Sequence, residues 1–249
     1  MKTNINQINE VHRSELYLYF YEDFIQEERT ERECTFIIDK CGLSTGDKVL
    51  DLACGHGRHS ICLARKGFDV SGVDLNEGFI DIAKKEATNN NLNINFIQDN
   101  ILNINYKNEF DGIILLFNSF GFFDNDDVNT LLHKIKTACK TDGKIIIDIK
   151  NREHFPKELQ PFYVMEKGAD LMIDRLTFNP IEGTTTNKRI YIKDGIRYDA
   201  PFTMRLYNFT EFNHLIMQHG LRISEVLGHW NGSAFDSDSR RMIAVLEYT

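Results

Sequence analysis

The residues best placed to do chemistry lie between positions 46 and 59, Gly-Asp-Lys-Val-Leu-Asp-Leu-Ala-Cys-Gly-His-Gly-Arg-His. Val49, Leu50 and Leu52 read as a short buried strand, and a helical pattern starts just past Gly57. The Gly55-His56-Gly57 turn has no side chain at the two points where the backbone must bend sharply or let a ligand close in. Such a strand–turn–helix unit offers the first free N–H groups of the helix to an anionic part of a ligand. Nineteen residues past Gly55, the stretch Asp-Val-Ser-Gly-Val-Asp reads as a second strand ending on Asp74. A carboxylate there can accept both hydrogen bonds of a ribose diol.

Two cofactor classes fit this geometry. The dinucleotide fingerprint has a third Gly or Ala three residues after the second glycine, where this chain has Ser60. Asp51 stands four residues before Gly55 and is followed by Ala53 and Cys54. The run Asp-Leu-Ala-Cys-Gly-His-Gly resembles the first motif of the class I S-adenosylmethionine (SAM) methyltransferases. The resemblance implies that the turn from Ala53 through Cys54 and Gly55 to Gly57 faces the methionine end of SAM, and that Asp74, beside Leu75, holds the ribose. It also implies S-adenosylhomocysteine as the product.

The rest of the chain supplies elements to position that turn. Residues 1–13 read as loosely ordered, and 14–41 as two helices closed by Gly42, with Tyr17, Tyr19, Phe20 and Tyr21 available to cap a pocket or pack on the main domain. From 47 to 150 strands and helices alternate, the pattern of a parallel sheet covered on both faces. The fourth strand runs over 110–116, a helix over 125–140, a turn over 141–143 and a fifth strand over 144–149. Residues 151–207 break the alternation with four extended segments between Gly, Pro and Asp-Gly turns, an antiparallel insertion. A helix near 210–219, capped by Thr210, and two strands at 221–228 and 241–247 complete the chain. The expected fold is an α/β, Rossmann-like seven-stranded sheet in the order 3-2-1-4-5-7-6 with the last strand antiparallel. A helical cap (1–45) and a β lid (151–207) would flank a SAM-binding domain of residues 46–150 and 208–249.

The resemblance also places an adenine contact at Asp99 and Asn100, after the third strand, with Ile101 and Phe117 as further cofactor neighbours. The insertion resembles the β lid of glycine and amino-sugar N-methyltransferases. Amino-methyltransferases of DNA and glutamine carry Asn or Asp, two prolines and an aromatic after the fourth strand; this chain has Asn118-Ser119-Phe120-Gly121. Methyl transfer from a sulfonium asks mainly for alignment and exclusion of water, so no triad is required and none is present. Asn118, Tyr207 and Tyr19 are the candidates to touch the reacting atoms or take a proton. Tyr21, Ser119, His229 and Arg240 are candidates to hold the acceptor, Arg240 by pairing with an acidic one. His154 is a further candidate. Lid aromatics, among them Tyr163, Tyr191 and Phe202, would offer an apolar wall.

With 249 residues, 42% hydrophobic and 27% charged, the chain has an ordinary globular composition. Its net charge of −8 and the lack of a Lys/Arg run argue against nucleic acid and anionic membranes as partners. No apolar stretch approaches the ~18 residues of a membrane span. Five cysteines without metal spacing point to a reduced, cytoplasmic setting and no metal. The function expected is methyl transfer to N or O of a small molecule by a monomer or homodimer. A non-catalytic SAM sensor and an NAD-dependent oxidoreductase are the alternatives.

Overall fold

The computed structural model describes Ile8 and residues 12–249. The loose order expected for residues 1–13 therefore falls almost wholly outside the described residues. The main sheet is built from β1 (Lys48–Leu52), β2 (Asp69–Asp74), β3 (Asn95–Gln98), β4 (Phe110–Leu115), β5 (Cys139–Lys150), β10 (Leu221–Leu227) and β11 (Arg241–Tyr248). Its order is β10-β11-β5-β4-β1-β2-β3, the expected one, with β11 antiparallel to both neighbours. The period-2 alternation of these strands divides two cores. Leu50, Leu52, Ile113, Leu115, Ile145 and Ile147 pack on one face with α5 (Asn125–Ala138) and α6 (Phe209–Gln218). Val49, Ile114, Ile146 and Val245 pack on the other with α2 (Glu27–Cys41) and α3 (Arg58–Arg65). Each such side chain, fully buried, contributes about 1.5–3 kcal/mol.

The sequence reading is corrected at three points. The 141–143 turn is absorbed into β5, whose pairing with β4 jumps from Phe110–Cys139 to Gly112–Lys144, a bulge rather than a loop. Helix α6 is capped by Asn208, whose side chain accepts from the Glu211 N–H at 2.9 Å; Thr210 already lies inside the first turn. The third concerns α1 (Ser14–Tyr21), whose Leu16 and Phe20 pack chiefly on the insertion, against Met172, Tyr191, Ala200, Phe202 and Met204.

The insertion is a separate four-stranded antiparallel sheet of β6 (Phe162–Lys167), β7 (Asp170–Asn179), β8 (Thr184–Lys193) and β9 (Ile196–Arg205). Its apolar face is thus occupied by α1, and Tyr191 and Phe202 are core residues of that contact. Arg189 grips both oxygens of Asp174 at 2.7 Å and donates to the Tyr21 hydroxyl at 2.8 Å. Cap and insertion are held together by that network.

Candidate active site

A cavity of about 320 Å³ opens where the carboxyl ends of β1, β2 and β4 meet the N-terminal helices. In an open parallel sheet, this end is where ligands sit. Gly55 and Gly57 divide two tasks. Gly55 has φ +57 and a Cβ there would meet nothing within 4 Å, so the turn presents bare backbone at the cavity wall. Gly57 has φ +78, and a Cβ would lie 2.7 Å from Phe96 and 2.9 Å from Ala83. It lets α3 close on β3 and α4 (Glu77–Asn89) and is not part of the wall.

Asp74 ends β2 at the cavity, its two oxygens accepting from the Gly55 and Asn76 N–H groups, both at 2.8 Å. Burial raises its pKa against these bonds. Asp51, 2% exposed, also reaches the wall and accepts from Ser60 Oγ at 2.6 Å. Burial pushes its pKa up to about 7, and the Asp74 charge adds to that, against the Ser60 bond and Arg58. Two carboxylates under a burial penalty in one cavity suit a cationic ligand, since a positive charge restores what desolvation removes. His56, at the same wall, and buried His59 are both lowered to about 4, burial being the larger cause and Arg58 the next, so neither adds positive charge at neutral pH. SAM is such a ligand, a sulfonium with a ribose diol, and these residues fit it.

The turns that follow β1 and β4 carry strained backbone. Ala53, Phe117 and Asn118 have φ of +54, +56 and +66, a region non-glycine residues rarely occupy. The Phe117 N–H donates to Asp148 Oδ2 at 3.0 Å and the Asn118 N–H to the Asp148 carbonyl at 2.9 Å, which holds the turn. Three guanidinium groups surround the Phe117 ring, Arg58 at 4.4 Å, Arg241 at 5.3 Å and Arg29 at 5.4 Å. Arg241 is paired with buried Asp148. Arg29 and Arg58 share Glu33, 1% exposed, at 2.8 and 2.6 Å.

Of the expected cofactor residues, Ala53, Cys54, Gly55, Asp74, Leu75, Asn100, Ile101 and Phe117 line this cavity. Asp99 does not; its Oδ1 is spent on Asn100 N and Asn103 Nδ2, both at 2.7 Å, as a turn former. Tyr21 and Ser119 also line it, whereas His229 and Arg240 stand at a second cavity. The three candidates for contact with the reacting atoms lie elsewhere. Asn118 is 4% exposed and clamps strand ends, accepting from Lys150 N at 2.9 Å and donating to Met204 Sδ at 3.1 Å. Tyr207 packs edge-on against Phe120 and Phe212, and burial pushes its pKa up to about 12. The Tyr19 hydroxyl donates to the Lys167 carbonyl at 3.2 Å, fastening α1 to the β6–β7 hairpin. Asp51, Arg29, Arg58 and Arg241 at the walls went unassigned in the sequence reading. Asp51 was legible in the motif; the arginines were not, because their shared ring, Phe117, sits 59 residues or more from each.

A methyltransferase-domain family model matches residues 49–143. A putative methyltransferase of Geobacillus sp. (strain WCH70) is 27% identical over 139 residues, 54% of this chain and 56% of its own, so the chain spans little more than half of that relative. An S-adenosylmethionine-dependent methyltransferase from Clostridium acetobutylicum ATCC 824 superposes with a TM-score of 0.81 at 20% identity, over 94% of this chain and 97% of its own. SAM-bound CalS10, an amino pentose methyltransferase from Micromonospora echinaspora, does so at 0.67 and 14%, over 90% and 91%. At these identities the superpositions establish the fold. Among the described residues no helix is long and apolar enough to cross a membrane. Residues 49–143 thus match a methyltransferase domain, and the sheet order with these superpositions gives the chain the fold of S-adenosylmethionine-dependent methyltransferases.

Proposed function

We propose that this protein transfers the methyl group of SAM to a nitrogen or oxygen of a small-molecule acceptor. The observation that carries the reading is the cavity itself, which joins the bare glycine turn, the Asp74 carboxylate and the burial-stressed Asp51 beneath a cap helix. Bound SAM supplies an electrophilic methyl on a charged leaving group. Asp74 binds the ribose hydroxyls, the 53–55 backbone meets the methionine end, and Leu75, Asn100 and Ile101 border the adenine. Asp51 offsets the cofactor's positive charge. Arg58, whose buried Nη2 has no hydrogen-bond partner, favours the methionine carboxylate. Tyr21 and Ser119 stand on the acceptor side, and the chain's main work is to align the acceptor and keep out water. The amino pentose substrate of CalS10, a protein of the same fold, supports a small acceptor. So does the cover that α1 gives the site, with Tyr17 and Tyr21 at its wall.

The test is incubation with methyl-labelled SAM and a panel of small amines, amino sugars and hydroxylated acids, beside duplex DNA and RNA. Label should appear in a low-mass product with equimolar S-adenosylhomocysteine. Tight SAM binding with no turnover anywhere in the panel would favour a non-catalytic binder, and label in nucleic acid would refute the small-acceptor reading.

The electrostatics add a pH prediction. A carboxyl titrating near 7 must lose its proton to face a cation, so SAM affinity should fall by up to about tenfold between pH 7.5 and pH 6. Calorimetry at both pH values checks this, and Asp51→Asn should flatten the dependence. A flat wild-type profile would show that Asp51 does not face the cofactor's charge.

A further inference from the structure

The second cavity, about 530 Å³, is walled by the end of β5, residues 154–163, β7 and the segment between β10 and β11, and it shares Arg29 and Arg241 with the first. Its lining carries four cations, Arg29, Lys150, Arg240 and Arg241, and two acids, Glu158 and Asp174. Both acids are already paired. Asp174 is held by Arg189, and Glu158 by Arg240 at 2.9 Å and His154 at 3.1 Å. Arg29 pairs with Glu33 and Arg241 with Asp148. Lys150 is different. Among the described residues its ammonium makes no hydrogen bond and no ion pair; it lies 5.4 Å from the centroid of the Phe155 ring. Its backbone is fixed by the Asn118 side chain at 2.9 Å, so the residue is held at this wall. An ammonium partly out of water with no counter-charge is costly, and a ligand bearing that charge relieves the cost.

We propose that the second cavity binds the oxyanion of the methyl acceptor, a carboxylate or phosphate group, through Lys150 with Arg241 beside it. The inference rests on the methyltransferase reading, since it makes this cavity the acceptor's and lets the acceptor reach the cofactor across the wall the two cavities share. The electrostatics agree: burial, then the charges of Arg241 and Arg189, lower the Lys150 pKa to about 8, with Asp174 alone opposing. An anion delivered to the site reverses that balance. The other groups at the walls are Arg29, Arg240, Glu158, His154, His229 and Tyr163.

Titration of the whole protein with inorganic phosphate and with acetate, each with and without SAM, tests the site. At pH 7 at least one anion should bind the wild type, and whichever binds tells phosphate from carboxylate. Lys150→Met should weaken that binding tenfold or more, Lys150→Arg should restore it to within about threefold, and the three proteins should bind SAM within twofold of one another. Wild-type affinity for the anion should also fall as pH is raised through about 8, a measurement that needs no variant to fold. Equal anion binding by wild type and Lys150→Met, or none by a wild type that binds SAM, overturns the proposal. Loss of SAM binding alone would refute the methyltransferase reading while the SAM-free anion titrations still decide this one.

Discussion

Replacing Asp74 by Ala should weaken SAM binding by about 1.5–3 kcal/mol, roughly ten- to a hundredfold, the scale of hydrogen bonds to a charged group. The carboxylate has one job in this structure and a second on the proposed reading. Its oxygens accept from Gly55 N and Asn76 N, which fixes the turn against the end of β2, and they stand at the wall where a ribose diol would donate. Ala removes both. Asp74→Asn keeps one oxygen as acceptor but loses the charge, and should fall between the two. Calorimetric titration of the three proteins, each shown by its unfolding midpoint to be folded at the titration temperature, measures the effect. An Asp74→Ala affinity within twofold of wild type would remove Asp74 from the cofactor site.

The second large effect is on stability. Glu33→Ala should cost about 3–5 kcal/mol, because removing one partner of a buried ion pair strands the others. Glu33 is 1% exposed and is the shared acceptor for Arg29, Arg58 and the His59 ring. Burial alone would raise its pKa; the His59 hydrogen bond and the Arg58 charge overcome that and hold it at about 2. The folded value lies below the ordinary 4.5, so this stabilisation is fully present above pH 4.5 and is lost as pH falls through about 2. His59 works in the same direction. Its folded pKa is lowered to about 4, so the unfolded chain takes up the proton first, and stability declines as pH drops from 6.5 toward 4. Arg29→Ala is the control: its side chain is 34% exposed, and its loss should cost no more than about 1 kcal/mol. Denaturant unfolding distinguishes the two. A Glu33→Ala cost no larger than that of Arg29→Ala would mean that the buried cluster is not an anchor. If it is, SAM affinity should drop as well, since Glu33 sets the position of Arg58 over Phe117.

The sheet was legible because its signals are local. Val49-Leu50-Asp51-Leu52, the glycine turn and the stretch ending on Asp74 each declare themselves within a few residues, and their spacing fixes the parallel crossover. The four extended segments expected in the insertion are its four strands, legible for the same reason, since Gly and Asp-Gly turns separate them. Long-range side-chain partners were not legible. Asn118, Tyr207 and Tyr19 have the chemistry of acceptor-site residues, but distant neighbours decide their use: Met204 and Lys150 take the Asn118 amide, Phe212 covers Tyr207, and Lys167 takes the Tyr19 hydroxyl. The three arginines around Phe117 come from α2, α3 and β11, and only the fold brings them to one ring. Asp99 and Asn100 show the limit within a single turn. Adjacent and similar in chemistry, they differ in that Asp99 is consumed by local N–H donors while Asn100 reaches the cavity.

Calorimetric titration of the wild-type protein with SAM, S-adenosylhomocysteine and NAD, side by side at pH 7.5, tests the central claim most directly. Micromolar binding of SAM and of S-adenosylhomocysteine, with no heat from NAD, is the expected result. A folded protein that binds neither SAM nor its product, or that binds NAD in their place, would contradict it, and the glycine turn would then serve a different ligand.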